Sequence, residues 1–189
     1  MAALYVRRGV QLERLLCGGG QEGGRRAGTE STLLISGLGA AADIVRRELP
    51  ATVAHMAALR RALQRQLLEG LAAYAPGTAR INGPADDARR LPNTLSIGIA
   101  GVTAAALLAE LSEQLAASAG AACHSGGGAV SAVLAAMGVP REHAVGTLRL
   151  SLGRHTTLAD VDRAAQLILG YVRRQLGGGG GSGGGAGAS

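Results

Sequence analysis

Two side chains in this sequence carry chemistry that could act on a small molecule. Cys123 sits in "GAACHSGGG", residues 120–128, with His124 beside it and Gly126, Gly127 and Gly128 just beyond. Glycine loses more backbone freedom on folding than any other residue, so a glycine run next to a thiol costs order. Movement explains such a loop better than packing does. The thiolate is the reactive form of cysteine, and His124 or a nearby arginine could lower the thiol pKa. Context alone leaves a second reading open: a small residue at a strand end with an incidental thiol. The other candidate is Arg149, in "TLRLSLG", residues 147–153. Leu148, Leu150 and Leu152 alternate with Arg149 and Ser151, so a strand with the leucines in the core turns Arg149 toward a cleft or solvent. A guanidinium offers a planar fork that matches a carboxylate. An ordinary exposed strand arginine is the alternative.

Other chemistries find less support. Cys17 is the only further thiol, and no C-x2-C or H-x3-H spacing accompanies Cys123 and His124, which argues against a metal centre. His55, His143 and His155 read as surface or helix-end residues. "CGGGQEGGRRAGTE", residues 17–30, formally contains G-x-G-x-x-G at Gly18, Gly20 and Gly23. Glycine is common throughout this chain, and the stretch does not open a helix where a dinucleotide site needs one.

The 189 residues include 19 arginines and no lysine, three tyrosines, and no Phe or Trp, so the core must be aliphatic. The bias toward Ala, Gly and Arg reads as genomic base composition. The formal net charge of +6 raises nucleic-acid binding, but the arginines fall in scattered pairs and no aromatic platform joins them. Two cysteines make no disulfide framework, and no secretory signal precedes them, which fits a reducing, cytoplasmic setting. Apolar runs are broken well short of the roughly 20 residues of a membrane span.

Periodicity supplies the elements that must position Cys123 and Arg149. "AALYVRR" at the start is strand-like. Leu34, Ile35, Leu38, Ala41, Ala42, Val45 and Leu49 share one face of a helix over 31–49, which Pro50 is expected to stop. A second helix, Thr52 to Leu71, places Val53, Met56, Leu63, Leu67 and Leu71 inward, with Arg60, Arg61, Arg65 and Glu69 outward. Strands follow at 79–82 and 93–99, then a helix at 103–111 and a small-residue strand leading to Cys123. A helix over 129–137 ends at Gly138, and strand 147–153 comes next. The last helix, 158–176, opens with a capping box of Thr157 and Asp160. The glycine-rich tail, 177–189, has nothing to bury and reads as disordered. This order gives an α/β sandwich with helices on a small sheet.

The motifs "ALYVRRGV", "GGGQE", "RAGTE", "LPNTLSI", "SAGAACHS", "GVP", "LRLSLGR" and "TT-AD-D" stand in order along the chain. Together they resemble the C-terminal portion of the cysteine desulfurase and selenocysteine lyase family, within the class V aminotransferase-like group. The spacing of 26 residues from Cys123 to Arg149, together with "GGGQE…R-x-G-T", is the most specific part. "ACHS" with "GGGQE" is most similar to selenocysteine lyases. The resemblance implies the C-terminal part of a fold type I, aspartate aminotransferase-like, pyridoxal-phosphate-dependent transferase. Residues 1–30 would be a remnant of the cofactor-binding large domain and 31–176 the small domain. Cys123 would be the nucleophile that takes sulfur or selenium from cysteine or selenocysteine and leaves alanine. Arg149 would grip the substrate carboxylate. Thr29 would bond the phosphate of the cofactor held by a partner subunit in a homodimer, and His124 would tune the thiol. A sulfur or selenium acceptor protein is implied as partner, with neither nucleic acid nor membrane.

The departure from the family is large. Its pyridoxal phosphate is held covalently by a lysine just upstream of a segment like "ALYVRRG", and this sequence has no lysine anywhere. The resemblance therefore implies a fragment of an enzyme, inactive by itself. The competing expectation is a non-catalytic sulfur-carrier or interaction module.

Overall fold

The computed structural model describes residues 2–120 and 130–177. The chain divides into two compact units, Met1–Pro50 and Ala51–Ser189.

In the first unit the strand expected of "AALYVRR" does not form, and these residues are irregular. A strand needs a neighbouring strand to take up its backbone N–H and C=O groups, and no described strand pairs with this segment. The glycine-rich stretch that follows turns back on itself instead of opening a helix. Ala27 N–H reaches the Leu16 carbonyl at 3.3 Å, and Gly28 N–H donates to Gln21 Oε1 at 3.2 Å. A short 3-10 turn, Glu22–Gly24, sits inside this fold-back.

Helix α1, Thr32–Tyr74, begins in the first unit and ends in the second, and it continues through Pro50. The expected stop at Pro50 is thus corrected. A proline inside a helix removes one N–H and crowds the carbonyl four residues back, but the pattern on both sides is strongly helical, and one lost bond does not divide it.

The second unit is built on a four-stranded antiparallel sheet. Its strands are β1 (Ala79–Ile81), β2 (Thr94–Ile99), β3 (Ser118–Ala119) and β4 (Thr147–Ser151), in the spatial order β1-β2-β4-β3. Around it lie α2 (Ala104–Glu110), α3 (Ala132–Ala136), α4 (Arg141–Val145) and α5 (Leu158–Gly177). The register pairs Ile97 with Ile81 and with Leu148, and Leu95 with Leu150. Because side chains alternate along a strand, this register gathers Leu95, Ile97, Ile99, Leu148 and Leu150 on one face. All are buried, and they join Leu63, Leu67 and Leu71 of α1, Leu107 of α2, and Val161, Ile168 and Val172 of α5 in one core. Burying each such side chain contributes about 1.5–3 kcal/mol.

Within α1 the inward row is Leu59, Leu63, Leu67 and Leu71, at strict four-residue spacing. Two expectations for this helix are corrected. Val53 is exposed rather than inward, and Arg60 is buried rather than outward. Arg60 Nη2 lies 2.6 Å from Asp87 Oδ1, at the start of a 3-10 turn (Asp87–Arg89) in the β1–β2 connection. The ion pair gives the buried guanidinium a counter-charge, without which its burial would be costly.

The capping box at α5 forms as expected. Asp160 N–H donates to Thr157 Oγ1 at 3.2 Å, and Thr157 N–H donates to Asp160 Oδ2 at 2.8 Å. The chain leaves α3 through Gly138, the terminating glycine that the spacing predicts. Gly138 adopts φ +63° while its N–H and that of Val139 bond back to Ala135 and Leu134, each at 3.0 Å. This left-handed cap also seats Val139 against Leu134 in a small second core with Ala144 and Val130. Helix α4 has no forerunner in the sequence reading. It lies over the sheet face opposite the main core, where the Thr147 hydroxyl donates to the His143 carbonyl at 2.8 Å. The close approach needs a glycine: a Cβ on Gly146 would fall 1.9 Å from the Ile99 carbonyl oxygen.

No helix among the described residues is long and apolar enough to cross a membrane.

Candidate functional site

The polar face of the sheet, away from the main core, carries Arg80, Thr94, Ser96, Thr147, Arg149 and Ser151 at alternating positions. Helix α4 covers the Thr147 end of this face. The described strands contain no acidic residue. Arg149 is exposed between the buried Leu148 and Leu150, which is the orientation expected of it. The register puts Ser96 of β2 on one side of Arg149 and Ser118 of β3 on the other. Arg149 Nη2 donates to Ser118 Oγ at 3.4 Å. An exposed guanidinium on an otherwise neutral or cationic face is suited to an anion of carboxylate size.

Behind this row lies a buried polar group. Asn82, 5% exposed, donates through Nδ2 to Ser96 Oγ at 3.2 Å and to Thr147 Oγ1 at 3.3 Å. Its N–H bonds the Ser96 carbonyl at 2.9 Å, and its own carbonyl oxygen takes the Arg90 Nη2 donor at 3.0 Å. Burial, with Arg60 nearby, holds Arg90 below the usual arginine pKa. Asn82 therefore ties the end of β1 to both central strands.

The remaining site candidates fall in different places. Thr29 is exposed and follows Gly28 in the first unit. Cys123 and His124 lie outside the described residues. Cys17 is exposed and free. No cluster of metal-ligating side chains exists among the described residues. His55 Nε2 lies 2.9 Å from the Thr156 carbonyl, and His143 Nδ1 lies 3.7 Å from Glu142 Oε1. His55 is an exposed residue in the middle of α1 and His143 sits in the last turn of α4, the surface and helix-end placements expected of them. Sequence reasoning missed Ser96, Ser118 and Asn82. Alternation in "TLSIGI" puts Ser96 on the polar face, but only the strand register shows that it stands opposite Arg149.

The family model for class-V aminotransferases matches residues 1–164. The chain belongs to this family. It is 42% identical over 175 residues to a cysteine desulfurase of Gluconacetobacter diazotrophicus, covering 92% of this chain and 42% of that protein. It is 36% identical over 176 residues to the cysteine desulfurase IscS of Clostridium botulinum, covering 93% of this chain and 43% of that protein. Among solved structures, a NifS-like protein superposes with a TM-score of 0.74 at 33% identity, over 89% of this chain and 41% of the other. The chain spans less than half the length of these relatives. Its α/β architecture is that of the matched part of the NifS-like fold.

The class-V family implies pyridoxal phosphate. The residues of this chain do not by themselves fit it as a covalently held cofactor: among 189 residues there is no lysine, so no side-chain amine exists to carry it.

Proposed function

We propose that this chain forms the substrate-carboxylate and sulfur-accepting part of a cysteine desulfurase-like enzyme. In this reading the substrate is cysteine, the products are alanine and a persulfide on Cys123, and a protein acceptor takes the sulfur. The observation that carries it is Arg149, exposed on a sheet whose described strands carry no acid, and 26 residues beyond a cysteine followed by glycines. The desulfurase names of the relatives put cysteine ahead of selenocysteine, reversing the order that "ACHS" and "GGGQE" suggest. Selenocysteine lyase activity is the second substrate reading. Thr29 is assigned to a phosphate contact across a homodimer and His124 to tuning of the thiol. Residues 1–30 are assigned to the cofactor-binding part, and the compartment to the cytoplasm. The absence of lysine favours one further reading, a non-catalytic sulfur carrier.

The test is alanine release from L-cysteine and L-selenocysteine by the enzyme that contains this chain. Cys123→Ser should abolish release, and Arg149→Ala should raise KM by at least about tenfold, since charge-assisted bonds are the strong ones. Release that survives Cys123→Ser would remove the nucleophile assignment. An unchanged KM in Arg149→Ala would remove the carboxylate assignment. Faster release from selenocysteine would restore the lyase reading.

A further inference from the structure

On the polar face, Ser96 and Ser118 each stand directly opposite Arg149, one from each neighbouring strand. The directions of their hydrogen bonds decide what these hydroxyls can do. Ser118 Oγ accepts from Arg149 Nη2, and Ser96 Oγ accepts from Asn82 Nδ2. A serine hydroxyl has one proton and two lone pairs. Having accepted, each serine keeps its own proton to donate. The row across β2, β4 and β3 is therefore hydroxyl, guanidinium, hydroxyl, with every outward group a donor and no acid on the described strands to compete.

We propose that Ser96 and Ser118 complete a three-residue carboxylate receptor with Arg149. Ser118 is the positioning residue, holding one arm of the guanidinium. Ser96 donates to an oxygen of the carboxylate that the fork receives, and Asn82 orients Ser96. The placement of Ser118 is firm although β3 has only two residues, because Gly120 N–H extends the ladder to the Thr147 carbonyl at 2.6 Å. This inference rests on the reading of Arg149 as the substrate-carboxylate group.

The probes are L-alanine and L-alaninamide, which differ in the carboxylate, titrated into the isotope-labelled full chain and followed by NMR at Arg149, Ser96 and Ser118. The wild type should favour L-alanine, and Arg149→Ala should abolish that preference. Ser96→Ala and Ser118→Ala should each reduce it by about three- to tenfold, the usual net worth of one hydrogen bond. Ser96→Thr and Ser118→Thr, which keep the hydroxyl, should restore it. Adding Ser118→Ala to Arg149→Ala should cost nothing further, as a positioning role requires. If Arg149→Ala loses the preference while both serine-to-alanine variants keep it, the receptor proposal fails and the Arg149 assignment survives. If Arg149→Ala keeps the preference, both fail. A wild type that does not distinguish the probes also overturns the receptor, leaving Arg149 to the KM test above. Retained signal dispersion in each variant reports that it is folded.

Discussion

Arg60 shows where helical spacing stops being informative about a single residue. The spacing of α1 predicts its inward row well, and Leu63, Leu67 and Leu71 are all buried. Arg60 is adjacent to Leu59 and is drawn inward by Asp87, a residue 27 positions away. Nothing local announces that partner. Asp87 also meets Arg61 Nη1 at 3.3 Å, and the hydrogen bond from Arg60 is the main cause that holds its carboxyl below the usual carboxylate range. A carboxylate with a depressed folded pKa stabilises the protein above its unfolded pKa of about 4 and loses that contribution as pH falls through the folded value. Asp160 behaves likewise, through the bond from the Thr157 N–H. Acid unfolding followed by circular dichroism should therefore lose part of its steepness below about pH 4 in Asp87→Asn, and again in Asp160→Asn. At neutral pH Asp87→Asn should lower Tm more than Arg61→Ala, because it leaves Arg60 buried without its counter-charge. Equal effects would mean that Arg60 finds another partner. Arg149 is the opposite case: its orientation follows from alternation alone, while its two serine neighbours depend on register.

At the scale of elements, the legible parts are those with a long period or a distinct end signal. Strands β2 and β4 alternate cleanly, α5 has its capping box, and α3 has its glycine cap. Helix α4 was not legible because five residues give no period and its seat depends on Gly146 meeting Ile99 across the sheet. The continuity of α1 through Pro50 was not legible either, since a proline signals a stop while the periods on both sides decide otherwise. Two substitutions separate the core from this seat. Leu67→Ala removes a side chain with no exposure from the centre of the core and should cost about 2–5 kcal/mol in urea unfolding. Gly146→Ala adds one carbon and should also destabilise, through backbone rather than cavity, because the Ile99 carbonyl cannot yield without breaking its sheet. It should further disturb the NMR signals of Thr147 and Arg149, which Leu67→Ala should leave in place. Undisturbed Thr147 signals in Gly146→Ala would show that α4 is not what orders that end of the polar face.

At the scale of the whole molecule, the distribution of apolar surface differs between the two units. Leu34, Ile35, Leu38, Val45 and Leu49, which the helical period gathers on one face of α1, are 41–53% exposed. Contiguous exposed apolar surface promotes association. The chain should therefore bind a hydrophobic dye and self-associate in sedimentation, and Leu38→Gln with Val45→Gln should weaken both. A monomer at high concentration with the native sequence would contradict this. The composition carries the last consequence. With arginine as the only long basic side chain, the chain has no amine except at its N-terminus, and a guanidinium stays protonated where an ammonium can give up its proton. Incubation with pyridoxal phosphate followed by borohydride should therefore trap the cofactor on no side chain. Mass-spectrometric mapping checks this, with a modified α-amino group as the single adduct consistent with the sequence. An adduct on any side chain would show that this chain holds the cofactor by chemistry other than a lysine amine. It would then count against a role confined to carboxylate recognition and sulfur acceptance.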